Sequence, residues 1–159
     1  MFRDKRSGRI ALVSHCVLNQ NSRASGLAER SSIITEIVQF LVNNDIGAVQ
    51  MPCPELAYAG TLRQPQTKEQ YNNAMFRRHC RKIAKDIANQ VREYQKCGIK
   101  LKFVIGVDGS PSCGVSKTSG ILIEELRSAL HDGGISAPFC GISYERLKDD
   151  IAELRRYVE

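Results

Sequence analysis

The chain has 159 residues, the size of one domain with a substantial core, and its 42% hydrophobic and 25% charged residues exclude both a fibrous and a disordered chain. No apolar run approaches the roughly 20 residues of a membrane-crossing helix, and the basic start MFRDKRSGR leads into a short apolar stretch without a cleavage pattern, so a first strand and a cytoplasmic protein with no membrane partner are expected. The net charge of +6 favours anionic ligands, but Arg77, Arg78, Arg81, Lys82 and Lys85 have no interleaved aromatics and read as a solvated helix face, so no nucleic-acid partner is expected.

The apolar run RIALVSHC (9–16) predicts a strand covered on both faces. Ser31 or Ser32 can cap a helix over 33–43, with Ile33, Ile34, Ile37, Val38, Leu41 and Val42 at helical spacing. GAVQMPCPE (47–55) is a second strand stopped by Pro52 and Pro54. Thr67 and Gln70 form a capping box for a long helix with an apolar stripe through Tyr71, Met75, Ile83, Ile87, Val91 and Tyr94, ended by Gly98. IKLKFVIGVD (99–108) is the third strand. Ile121, Leu122, Leu126 and Leu130 mark a helix closed by Gly133 and Gly134; APFCGIS (137–143) is the fourth strand; Leu147, Ile151, Leu154 and Val158 mark a terminal helix.

Alternating strands and helices imply a single α/β domain over 1–159, a three-layer flavodoxin-like (Rossmann-like) sandwich with a parallel sheet in the order 2-1-3-4. The six cysteines include no C-x-x-C pair, and nothing marks the chain for secretion, so metal binding, catalysis and core filling are the readings open to them. Three fall at strand ends. Cys16 closes the first strand, Cys53 the second, and Cys113 follows the third. In a parallel sheet all carboxyl ends share one edge, where ligands bind beside the strand-order reversal. Three thiols therefore converge on one crevice, and three convergent thiolates suit a metal centre. Spacing leaves an iron–sulfur cluster and a three-cysteine zinc site both open.

The stretches VSHCVLNQNSRASG (13–26), MPCPE (51–55) and GSPSCG (109–114) resemble, in order, the three signatures of the 2-thiouracil desulfidase family. The first departs from the family pattern. His15, Asn19, Ser22 and Ala24-Ser25 stand where the family has alanine, glycine, a second cysteine and Tyr-Asp. The resemblance implies a Rossmann-like fold, a [4Fe-4S] cluster on Cys16, Cys53 and Cys113, and hydrolytic removal of sulfur from a thiolated nucleobase or related small thiocarbonyl compound. The changed first loop implies a substrate other than free thiouracil. A non-catalytic sulfur or metal carrier and a three-cysteine zinc hydrolase are the alternatives. A nucleotide-binding flavodoxin-type module lacks the glycine fingerprint after the first strand.

Glu55, two residues after Cys53, is the candidate for activating water. Ser110 and Ser112 are candidates for catalysis beside it, and serine also serves turns. Gly109 and Gly114 let the backbone turn closely there. Asn19 and Arg23, in the first loop, are candidates for binding substrate, Arg23 through an anionic or carbonyl group. Asn21 accompanies them. His15, adjacent to Cys16 on a strand, should point to the opposite face. Cys140 reads as a buried strand residue, Cys80 and Cys97 as structural, and His79 and His131 as surface residues.

Overall fold

A computed structural model describes residues 2–159. Four strands, β1 (Arg9–Ser14), β2 (Gly47–Met51), β3 (Lys100–Val107) and β4 (Phe139–Ile142), form one sheet in the order β2-β1-β3-β4 with every pairing parallel. Fold class and strand order agree with the sequence reading.

Each strand alternates its side chains between two cores. Ile10, Leu12 and Val104 face α5 (Ala74–Lys96) and α6 (Ile121–Asp132). Ala11, Val13, Phe103 and Ile105 face α2 (Thr35–Asn43) and α7 (Leu147–Leu154). Leu12, Phe103, Leu122 and Leu126 are fully buried. Among the described residues no helix is long and apolar enough to cross a membrane.

The elements differ from the sequence reading mainly at the carboxyl edge. β1 stops at Ser14, and His15–Leu18 forms a one-turn helix, α1. β2 stops at Met51, and Cys53 caps a second short helix, α3 (Pro54–Ala59). Pro54 supports that start, because the first turn needs no N–H there. α2 begins at Thr35 without a serine cap; the Ile34 N–H is taken by the Val17 carbonyl at 2.9 Å.

The Thr67–Gln70 capping box is present, but it starts only α4 (Lys68–Tyr71). Asn72 and Asn73 then interrupt the helix. The Asn73 side chain accepts the Phe76 N–H at 2.9 Å and starts α5 afresh, as asparagine favours caps over helix interiors. Nor is the basic cluster of α5 wholly solvated. Arg77 reaches Glu124 at 2.8 Å, and Arg81 reaches Glu125 at 3.2 Å, across to α6.

Candidate active site

Beyond the carboxyl ends of the strands lies a cavity of about 400 Å³, with Cys16, Cys53, Cys113, Glu55, Arg23 and Tyr144 among its walls. Cys16 enters on the first turn of α1, held by the continuation of β1. Cys53 enters at the start of α3, its sulfur 3.4 Å from the Leu56 N–H. Cys113 arrives on the loop after β3, which folds back so that the Val107 N–H meets the Cys113 carbonyl at 2.9 Å.

That fold-back requires glycine at two supporting positions. A Cβ on Gly106 would lie 2.2 Å from the Cys113 carbonyl oxygen, and one on Gly120 would lie 2.1 Å from the Ser112 carbonyl carbon. Gly109 turns the loop with φ +84°, a conformation open to glycine at little cost. Gly114 packs within the loop, against the carbonyls of Thr118 and Ser110 rather than along the cavity.

The three thiols share one electrostatic setting. Burial pushes Cys16 above the ordinary thiol range, opposed by the Arg23 guanidinium. Burial also raises Cys53, opposed by the Leu56 N–H. Cys113 is pushed up furthest by burial, with Cys16 adding to it and the Ser14 hydroxyl opposing. Reactive cysteines have the reverse setting, a stabilised thiolate. Among the described residues, no three His, Cys, Asp or Glu side chains stand close enough together to hold one metal ion. The three thiols line one common cavity.

Glu55 lines this space on the first turn of α3. The Ser112 hydroxyl donates to Glu55 Oε2 at 2.9 Å. Ser112 is fully buried and sits behind Glu55 instead of lining the cavity. Ser110 lines it, and its Oγ accepts the N–H groups of Ser112 at 3.2 Å and Cys113 at 3.0 Å. Arg23 is there too, with its guanidinium 5.6 Å from the centre of the Tyr144 ring.

Other candidates stand elsewhere or face differently. Asn19 does not reach the cavity wall; its side chain accepts the Asn21 N–H at 3.1 Å and caps a one-turn 3-10 helix. His15 does line the cavity, contrary to the strand-alternation argument, because the strand ends before it. Its Nδ1 is buried without a hydrogen-bond partner. Cys140 remains on β4 and off the cavity, its thiol pushed up to about 11 by burial with Glu153 and Asp150 adding. Cys80 is a core residue and Cys97 an exposed helix terminus. His79 is half-buried, its Nε2 3.1 Å from the Pro54 carbonyl, whereas His131 is exposed.

Sequence reasoning misses Tyr144, Asp108 and Arg63, which also line the cavity. Tyr144 follows β4, so the strand-end rule that selects the cysteines also reaches it. Asp108 directly follows β3, and its Oδ1 accepts the N–H groups of Val115 at 3.1 Å and Ser116 at 2.9 Å, pinning the far side of the cysteine loop. Arg63 lies in the connection between α3 and α4, where neither periodicity nor a turn motif draws attention to it.

The profile of the family described as "Putative 2-thiouracil desulfurase" matches residues 10–129, which carry Cys16, Cys53, Glu55 and Cys113. A relative from Methanocaldococcus jannaschii, named "Uncharacterized protein MJ0003", is 42% identical over 118 residues, 74% of this chain and 75% of the relative. No solved structure matches the chain.

Proposed function

The chain belongs to the 2-thiouracil desulfurase family, and from that premise we propose that it removes sulfur hydrolytically from a thiolated nucleobase or related thiocarbonyl compound. The overall change is C=S plus water to C=O plus hydrogen sulfide, with no net redox. The observation that carries this reading is the convergence of Cys16, Cys53, Cys113 and Glu55 on one cavity.

Cys16, Cys53 and Cys113 would hold a [4Fe-4S] cluster. Three sulfur donors lining one cavity suit such a cluster, since iron–sulfur clusters are held by cysteine thiolates. When bound, such a cluster supplies a Lewis-acidic iron with affinity for soft sulfur. Glu55 accepts the proton of the attacking water, and Ser112 fixes the carboxylate from behind through Oε2. Ser110 uses its oxygen to hold the Cys113 loop, leaving its hydroxyl proton for a ligand in the cavity. Arg23 and the Tyr144 ring form a wall for a planar, electron-rich ring.

Anaerobic reconstitution with iron and sulfide, followed by a sulfide-release assay on thiolated bases and nucleosides, tests the reading. About four irons per chain and turnover that Glu55→Gln abolishes without iron loss are expected. Iron without turnover would favour a sulfur or metal carrier, and one tightly held zinc with refusal of iron would move the chemistry to zinc.

A further inference from the structure

Arg63 has a side chain only 5% exposed, although it comes from a connecting segment. A guanidinium so far out of water needs protein partners in place of its hydration. Its Nη1 donates to the Gly60 carbonyl at 3.0 Å, where α3 ends, and its Nη2 donates to the Ser22 carbonyl at 2.7 Å, in the first loop. The Arg63 carbonyl also accepts the Ser25 N–H at 3.3 Å. Two carbonyls thus fix the plane of the fork, and a planar fork leaves the direction of its Nε no freedom. That Nε has no hydrogen-bond partner. It stands 3.7 Å from Glu55 Oε1, and Glu55 is itself only 12% exposed. The other carboxylate oxygen of Glu55 is held by Ser112.

We propose that Arg63 is a positioning residue that locks the first loop, the end of α3 and the Glu55 carboxylate into one unit. Ser112 sets one oxygen of Glu55 and Arg63 sets the other, so the carboxylate is aimed into the cavity from two sides. The first loop, which carries Arg23, and the carboxylate therefore keep a fixed relative position. The catalytic consequence rests on the desulfurase reading; the clamp itself does not.

Two readouts test it. The first is thermal unfolding of the cluster-free chain as a cycle of Arg63→Met and Glu55→Gln. Removing Arg63 leaves the Glu55 charge without its partner, and Tm should fall by roughly 5–10 °C. In that background Glu55→Gln should restore part of the loss, whereas in the parent chain it should lower Tm. Equal effects of Glu55→Gln in both backgrounds would overturn the clamp. If Arg63→Met fails to fold, Arg63→Lys serves in the same cycle, since it keeps the charge but not the fork.

The second readout is the kinetics of the reconstituted enzyme. Misplacing the carboxylate should lower kcat about 100-fold in Arg63→Met, with only a few-fold rise in KM as the Arg23 loop loosens, iron content close to the parent and partial rescue in Arg63→Lys. An unchanged kcat in an active parent would also overturn the proposal. A parent without sulfide release would remove the desulfurase reading, and the Tm cycle would then decide the clamp alone.

Discussion

The Ser112 hydroxyl donates to Glu55 Oε2 across 2.9 Å, although the two residues lie 57 positions apart. The bond joins the loop after β3 to the first turn of α3, and those two segments also carry Cys113 and Cys53. Carboxylate and thiols are therefore positioned by the same backbone. Ser112 can reach Glu55 because it is buried beneath the loop, with Gly120 packed against its backbone.

Removing each end of that bond should have different consequences. Glu55→Gln keeps shape and volume but cannot accept a proton, so kcat should fall by at least about 100-fold with iron content unchanged. Ser112→Ala leaves the carboxylate present but held on one side only, and kcat should fall about tenfold. Sulfide-release kinetics on reconstituted variants, beside iron analysis, would measure both. Equal losses in the two variants would argue that Glu55 acts only as a structural acceptor.

The cysteines should separate in an iron-loading experiment. Serine at position 16, 53 or 113 removes one of the three sulfur donors around the cavity and should abolish stable cluster loading. Serine at Cys80 or Cys97 should leave it intact, because one lies inside the α5 core and the other at the exposed end of that helix. Absorbance near the sulfur-to-iron charge-transfer bands, with iron and sulfide counts, reads the outcome.

What could be read from the sequence follows from which forces act locally. The β2-β1-β3-β4 order was legible because doubly covered strands are continuous apolar runs and right-handed crossovers leave few arrangements. The edge position of Cys16, Cys53 and Cys113 followed from the same pattern. The short helices α1 and α3 are not legible, since four to six residues show no periodicity, and strand alternation therefore puts His15 on the wrong face. Asn72–Asn73 look like an ordinary polar step in an amphipathic stripe, yet the Asn73 cap divides one expected helix into two. Arg63 is visible only in three dimensions: its partners are the carbonyls of Ser22 and Gly60, and a backbone carbonyl has no sequence signature.

Gly141 illustrates how β4 supports the cysteine loop. A Cβ at this position would lie 2.0 Å from Asp108 Oδ1, the atom that accepts the Val115 and Ser116 N–H groups. Gly141→Ala should displace Asp108 and loosen the loop, at a cost of about 1–3 kcal/mol by overpacking. Iron affinity should fall with it, although no thiol changes. Urea unfolding and iron titration of the variant would check this, and stability at the parent level would contradict it.

Alkylation of the reconstituted chain should follow burial and charge. Cys97 is exposed and should react first with iodoacetamide at pH 8. Cys140, pushed up to about 11, holds only roughly a thousandth of its thiol as thiolate at that pH. Its rate should rise about tenfold per pH unit until the pH nears 11, because the thiolate is the reacting form. Cys80, pushed up to about 12 by burial and fully enclosed, should stay unmodified until the chain unfolds. Peptide mass spectrometry at a series of pH values gives the order. Fast labelling of Cys140 at pH 8 would mean that β4 opens readily at the sheet edge.

Substrate size should be set at the first loop and beyond it. Ala24 lines the cavity with a small side chain, and Ser25 beside it brings no charge. On its other side the cavity shares Gln66, Asp108, Gly109, Ser110 and Pro111 with a second cleft of about 840 Å³, which Lys117 and Arg146 flank. A thiolated base seated against Tyr144 therefore has room for a sugar, and Lys117 offers a cation to a phosphate on it, beside the acidic Glu69 and Glu145 of the same cleft. We expect kcat/KM to rise from free thiolated base to nucleoside to nucleotide, with the nucleotide step weakened by salt because exposed charges are screened. Lys117→Ala should reduce the nucleotide advantage without changing turnover of the free base. Fastest turnover of the free base would show that the second cleft takes no part in substrate binding and that the first loop does not set specificity.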